Sequence, residues 1–440
     1  NWLVVSTGPL TRCKSPSSTR FNISTVSPLT GLLTSSNCGG PFGRRLKKAG
    51  WDAMVITGKA KELTWIEIDD DKITFHDVPE MKGMMTGEVQ KQFSSGTSCI
   101  TIGPAGENKV LYAGVFSGER TAGRGGVGAV FGDKNLKMIT AKGSQNPEIY
   151  DKEKLDFLNK QWEMQLKRHP ITGAQLSKLG TAGLVAPMQA HRILATKNFS
   201  NGRFDNFEKV SGEELREKHL IKNGNCYSCP MKCERRVRYE GKNIKGPELE
   251  TLGLLGPNIM NDDIEKIIKW NYELDELGMD TISTAGTIAF AMELQEKGMW
   301  DSGLEFGKTD NLSDIFVLIA NREGIGDILA DGTKRMSEKF GGKEFAIHAK
   351  GMELAAYEPR GAVGQGLGYA TSNRGGCHLN AGYMVVLEGL GLNMNSYTPK
   401  GKAALATMFQ NVMEGASAAG FCVFTSYAIL PWFIVAKPTS

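Results

Sequence analysis

Three cysteines within eight residues, Cys226-Tyr227-Ser228-Cys229-Pro230-Met231-Lys232-Cys233, constrain this chain more than any other feature. Thiolates at Cys-x2-Cys-x3-Cys spacing on one turn can reach three corners of a single inorganic centre. The fourth ligand must then come from a segment remote in sequence. Cys422, in the Gly-flanked turn Gly420-Phe421-Cys422, is the expected fourth ligand. Three readings of the motif stay open: a 4Fe-4S cluster, a structural zinc site completed by a fourth Cys or His, and unligated thiols. With eight cysteines in 440 residues and three of them together, metal is a better reading than disulfides in a protein that is not secreted.

The length implies two or three domains. A net charge of +4 from 52 basic and 48 acidic side chains is too small and too mixed for a nucleic-acid partner. No apolar run reaches the ~18 residues of a membrane span. No signal peptide is visible, so the expected location is cytoplasmic. The chain opens at Asn1 in one apolar run and ends at Ser440 just after another, Trp432 to Val435; neither end reads as a natural terminus.

Short apolar or β-branched runs separated by turn residues predict strands at Trp2–Ser6, Met54–Thr57, Leu63–Ile68, Cys99–Ile102, Val110–Val115 and Met138–Ala141. Helical periodicity begins at Asp151–Arg168, where Pro170 stops it, and returns at Asn261–Leu277, Ser283–Lys297 and Lys400–Ala416. The stretch from 171 to 245 reads as loop and short helix. The expected class is α+β, with a β-rich domain of two packed sheets over 1–148. Two mostly helical domains follow, over 149–350 and 351–440.

Glycine, at 53 residues, clusters at Gly39–Gly43, Gly123–Gly132 and Gly361–Gly376. Gly123-Arg124-Gly125-Gly126-Val127-Gly128 matches the dinucleotide-binding pattern formally. The segment after it, Ala129–Gly132 and on to Thr140, reads as strand, and no acidic residue ends a second strand about twenty residues on, which argues against a dinucleotide. Backbone amides free of side chains beside Arg124, and beside Arg20 at Asn37-Cys38-Gly39-Gly40, suit phosphate. Several such loops suggest one large phosphate-bearing cofactor; taken singly, each is as well explained as a tight turn.

The ordered series Thr7-Gly8-Pro9-Leu10, Ser27-Pro28-Leu29-Thr30-Gly31, Gly103-Pro104-Ala105-Gly106-Glu107-Asn108, the Arg124 loop, the Cys226 motif, Gly246-Pro247-Glu248-Leu249-Glu250-Thr251, Asp275-x-x-Gly278-Met279-Asp280 and Ala370-Thr371-Ser372-Asn373-Arg374-Gly375-Gly376 resembles the aldehyde:ferredoxin oxidoreductase family along nearly the whole chain. The resemblance implies a bis-pterin tungsten (or molybdenum) cofactor, one 4Fe-4S cluster held by Cys226, Cys229, Cys233 and Cys422, and Mg2+ bridging the pterin phosphates. It implies cofactor contacts from Arg20, Asn37, Gly39, Arg124, Gly125, Asp275, Gly278, Asp280, Ser417 and Phe421. Ser417 stands where the family pattern has Asp, with Glu414 one turn earlier as a substitute. None of the six histidines is preceded by Glu at three residues' distance, so the iron that some members hold between subunits is not expected.

By the same resemblance, Glu250 is a buried general base, His378 a donor to the substrate carbonyl, and Tyr357 a residue that orients substrate. The implied reaction oxidises an aldehyde to a carboxylate, with electrons passing to ferredoxin or a ferredoxin-like subunit. The basic residues Lys232, Arg235, Arg236, Arg238 and Lys242 either steer such an acidic partner or form an ordinary solvated loop. Two alternatives stand beside it: a low-potential reductase subunit of the class II benzoyl-CoA reductase type, which Cys377 beside His378 keeps open, and a zinc-stabilised binding protein without activity.

Overall fold

The computed structural model describes residues 2–380, 382–390 and 394–429, with 389 and 390 as backbone only; the apolar run Trp432 to Val435 lies outside them. Two sheets build the first part of the chain. One takes the order β3-β2-β1-β4, from β1 (Leu3–Thr7), β2 (Phe21–Val26), β3 (Leu33–Cys38) and β4 (Ala53–Ile56). The other runs β6-β5-β10-β7-β8-β9, from β5 (Thr64–Asp69), β6 (Lys72–Asp77), β7 (Ser98–Thr101), β8 (Val115–Ser117), β9 (Arg120–Ala122) and β10 (Leu136–Lys142). Alternation puts Leu3, Val5, Phe21 and Ile23 of the first sheet against Ile66, Ile68, Ile100 and Ile139 of the second in one buried core.

Helices follow, and their apolar faces close a second core from Leu252, Leu255, Ile267, Trp270, Ile288 and Phe316. After α1 (Val127–Asp133) come α2 (Lys152–Arg168), α3 (Leu249–Leu255), α4 (Ile264–Leu277), α5 (Thr281–Glu296), α6 (Leu312–Asn321), α7 (Gly332–Phe340), α8 (Val363–Thr371) and α9 (Lys402–Ala418). Asp263 caps α4 by accepting from the amides of Glu265 and Lys266. Helix α5 is buried on nearly every side, because its small and apolar residues run all round it. Among the described residues no helix is long and apolar enough to cross a membrane.

Three expectations about local structure are corrected. Residues 110–113 are a turn, and the strand starts at Val115. Tertiary partners hold that turn: the Leu111 amide donates to Ala330 and the Tyr112 hydroxyl to Leu329. The segment Ala129–Gly132, expected as strand, lies in helix α1, while the strand expected after it is β10. Gly128 and Gly132 let α1 pack where a methyl group would lie 2.3 Å from the Gly114 oxygen and 1.8 Å from the Gly106 oxygen. The helix does not revive the dinucleotide reading, because β9 and β10 on either side of it are not neighbours in the sheet. Finally, the stretch 171–245 contains a three-stranded sheet, β11 (Leu220–Gly224), β12 (Glu234–Tyr239) and β13 (Lys242–Lys245). Its hairpin turns through Glu240 (φ 45°) and Gly241 (φ 74°), the left-handed pair that suits a two-residue loop.

Candidate active site

The Cys226 turn is closed by the Cys229 amide donating to the Cys226 oxygen, and Asn225 Nδ2 donates to the carbonyls of Cys226 and Cys229. Cys422 reaches the same place through a backbone clasp. Its amide donates to Ser17, while the Arg20 amide donates to Gly420 and the Leu10 amide to Ala419. Gly8 is required there, since a methyl group would sit 2.2 Å from the Gly420 nitrogen. All four cysteines therefore line one cavity of about 190 Å³, together with Arg20, Arg120, Glu248, Glu250, His378 and Tyr383. Arg20 donates to Cys422 Sγ at 3.0 Å and Ser17 Oγ to Cys229 Sγ at 3.2 Å. Burial pushes the Cys229 thiol up to about 11 and Cys233 well above its ordinary value.

At the other end of the cavity, Glu250 sits in the first turn of α3. Its Oε2 accepts from the Ala356 amide at 2.7 Å, and its Oε1 lies 3.4 Å from His378 Nε2. Burial raises the Glu250 pKa to about 7, and burial, then Arg124 and Arg374, holds His378 well below the usual imidazole value. Glu250 Oε1 and His378 Nδ1 are buried without a hydrogen-bond partner, so this end presents unsatisfied polar atoms. The Tyr357 hydroxyl is 2.7 Å from that of Tyr383, and the Tyr383 ring packs 5.4 Å from His378. Tyr383 escaped the sequence reading because no local motif marks it. Arg374, within the motif Ala370–Gly376, donates to the Ser35 oxygen and, at 2.8 Å, to Cys377 Sγ.

The other expected cofactor residues separate into groups. Gly39 lies against the Cys226 turn, where a methyl group would be 3.3 Å from Cys226 Sγ. Asn37 donates to Asn22 and leaves its own oxygen buried and unpartnered, as are the hydroxyls of Thr34 and Thr121. Thr34 and Thr121 abut Gly125 and Gly123, and Arg374 reaches Ser35 from the His378 loop, so the phosphate-type loops do meet. Arg124 itself is a buried strut. Its guanidinium donates to Asp280 at 3.3 Å, Ser283, the Gly376 oxygen and the Glu353 oxygen, which uses most of its N–H groups within the protein.

Asp280 caps α5 and faces Arg124, whereas Asp275 faces a different cleft of about 400 Å³ with Lys245, Glu119 and Glu276. Gly278 between them ends α4 at φ 88°. Although Asp275 keeps partial exposure at the cleft, burial raises its pKa to about 7. Ser417 is buried on α9, Phe421 packs its ring 6.0 Å from Trp162, and Glu414 is exposed and bonded to Asn380.

Of the basic residues expected to steer a partner, Arg235 and Arg236 are taken up by the fold, whereas Lys232, Arg238 and Lys242 are exposed. Arg235 is buried and donates to the carbonyls of Leu176, Ser177, Lys178 and Lys232. Arg236 pairs with Glu119 and Glu234. Lys242 lies over the Tyr272 ring, at the cleft that holds Asp275.

A β base under helical layers, with four thiols and a buried acid–imidazole pair on one cavity, is an arrangement suited to redox chemistry. The chain belongs to the aldehyde ferredoxin oxidoreductase family: that family's N-terminal domain matches residues 1–143, and its domains 2 and 3 match residues 158–437. It is 42% identical to a tungsten-containing aldehyde ferredoxin oxidoreductase of Pyrococcus abyssi, over 98% of this chain and 74% of that protein. It is 32% identical to the WOR-like subunit of an aliphatic sulfonate oxidoreductase of Pyrococcus furiosus, over 86% of this chain and 66% of that one. In fold it is similar to a chain of the active-site complex BamBC of benzoyl coenzyme A reductase, solved with 1,5-dienoyl-CoA. That likeness has a TM-score of 0.80 and 24% identity, over 97% of this chain and 73% of the other.

Proposed function

We propose that this protein oxidises an aldehyde to a carboxylate and passes two electrons, through a 4Fe-4S cluster on Cys226, Cys229, Cys233 and Cys422, to ferredoxin. One observation carries the reading: the four thiols and the Glu250–His378 pair line opposite ends of the same cavity. The donor set suits a cube-like cluster better than zinc. A single zinc ion needs four sulfurs at about 2.3 Å from one point. The thiols instead surround a space, and Arg20 supplies positive charge to them.

A tungsten bis-pterin cofactor, with Mg2+ between its phosphates, belongs to the same proposal. The unpartnered buried oxygens of Thr34, Asn37 and Thr121, at the meeting of the glycine loops, fit such a group. Thr34, Asn37, Gly125 and Arg374 would hold it, and Arg124 would brace the wall. When bound, it would accept the two electrons of the oxidation. Glu250, in its ionised form, takes the proton released as a water-derived oxygen adds to the carbonyl carbon. His378 faces the carbonyl oxygen, with Tyr383 and Tyr357 fixing the ring side of the pocket.

The benzoyl-CoA reductase type of chemistry is the second reading. It is weakened by Cys377, whose buried sulfur is taken up by Arg374 and Asn380 and does not line the cavity that His378 lines. The test is anaerobic purification, metal analysis and aldehyde oxidation with a viologen dye. About four iron atoms and one tungsten per chain, with aldehyde-dependent dye reduction, support the proposal. Zinc alone, or a metal edge showing a protein thiolate on tungsten, sinks it.

A further inference from the structure

Tyr227, next to Cys226, is 56% exposed, and the Arg44 guanidinium lies 3.5 Å over its ring. Arg44 belongs to the short helix Phe42–Lys48, which follows Gly39, where an added methyl group would lie 3.3 Å from Cys226 Sγ. The same turn is thus gripped by glycine on its inner side and by a cation on its outer side. Arg12 and Arg45 are near enough to Arg44 to repel its charge, and Tyr227 offsets part of that repulsion. Arg12 donates to Asn146 and Arg45 to the Ser95 oxygen, so none of the three arginines pairs with a carboxylate among the described residues. Lys14, in the loop with Arg12, is exposed. Carboxylates neutralise Arg236, and main-chain carbonyls absorb Arg235, on the β11–β13 side.

We propose that the Arg44–Tyr227 stack, with Arg12 and Arg45 beside it, is the docking surface for the electron acceptor, a small acidic iron–sulfur protein. This rests on the reading that Cys226 ligates the cluster. An uncompensated positive patch raises the encounter rate with an acidic partner, and the flat cation–aromatic pair offers a contact beside the donor centre. Each encounter transfers one electron from the reduced cluster to the oxidised partner. Two encounters therefore restore the enzyme after each two-electron oxidation, and no bond is made or broken in the transfer.

The holoenzyme and a purified acidic ferredoxin test this by calorimetric binding at low and high salt, beside dye-linked aldehyde oxidation. In Arg44→Glu the affinity for ferredoxin should fall about tenfold at low salt, and its salt dependence should flatten. Arg44→Gln should give a smaller loss of the same sign. Arg238→Glu on β12 should leave binding unchanged, and all three variants should keep the dye-linked rate. Unchanged binding in Arg44→Glu, an equal loss in Arg238→Glu, or wild-type binding that ignores salt would overturn the docking surface. If ferredoxin binds through Arg44 but no aldehyde is oxidised with the dye, the aldehyde reading fails and the surface stands. If the dye-linked reaction is intact and binding ignores Arg44, the reverse holds.

Discussion

His378 Nε2 lies 3.4 Å from Glu250 Oε1, with the two side chains only 10% and 13% exposed. Burial disfavours charge on each, so Glu250 keeps its proton up to about pH 7 and His378 stays neutral. Near neutrality the pair holds one exchangeable proton, and it is on the carboxyl. An acid poised at the working pH suits proton transfer in both directions.

Glu250→Gln should therefore lower turnover by about a hundredfold or more, with iron and tungsten content unchanged. In the parent protein the rate should rise with pH through about 7, as Glu250 ionises. That limb should vanish in the variant. Wild-type turnover in a fully loaded Gln variant removes Glu250 from the mechanism.

The same group acts on stability. Its pKa is raised on folding, so the folded state binds the proton more tightly than the unfolded chain. The resulting stabilisation is complete below about pH 4.5 and is lost as pH rises through about 7. In the metal-free protein, Glu250→Gln should be relatively more stable at pH 8 than at pH 4, by on the order of 3 kcal/mol. Urea midpoints at the two pH values measure it, and a pH-independent difference counts against a buried neutral Glu250.

Cys422→Ser should strip iron from the protein while leaving the fold intact, because the clasp at Cys422 is made by backbone groups of Ser17, Arg20 and Gly420. Absorbance in the visible range and iron content should both fall, with circular dichroism unchanged. Arg20→Gln should keep the iron but lower the cluster's midpoint potential, since a nearby positive charge favours the reduced, more negative state. An unchanged or raised potential refutes that role.

Two glycine substitutions should go opposite ways. Gly132→Ala places a methyl group 1.8 Å from the Gly106 oxygen and should cost roughly 2 to 4 kcal/mol. Gly415→Ala, on the exposed side of α9 with nothing within 4 Å, should stabilise by about 0.5 to 1 kcal/mol. Thermal melts of the two variants side by side are sufficient.

At the start of α9, Lys402 Nζ and Glu388 Oε1 are 2.5 Å apart with no solvent access to speak of, and Glu388 also accepts from the amides of Gly364 and Gln365. Lys402→Met strands that carboxylate and should cost about 3 to 5 kcal/mol. Adding Glu388→Gln should recover part of it. A double variant as unstable as the sum of the single ones would show that the pair is not coupled.

Local chemistry is legible without coordinates. The Cys226 turn, the helix Lys152–Arg168 and the alternating strands follow from near-neighbour periodicity and turn residues, and the ordered motifs identify the family. The polar strands Phe21–Val26 and Leu33–Cys38 escaped notice because their alternation is Ser, Thr and Asn against few apolar residues. Helix Val127–Asp133 escaped because its glycines answer to carbonyls at Gly106 and Gly114. Arg124 looked like a phosphate contact for the same reason: its four protein partners lie 156 to 252 residues away. Spacing along a chain reports what a turn can bring together. Desolvation, which gives Glu250 its raised pKa, and the cage around Arg124 depend on neighbours brought near only when the layers close.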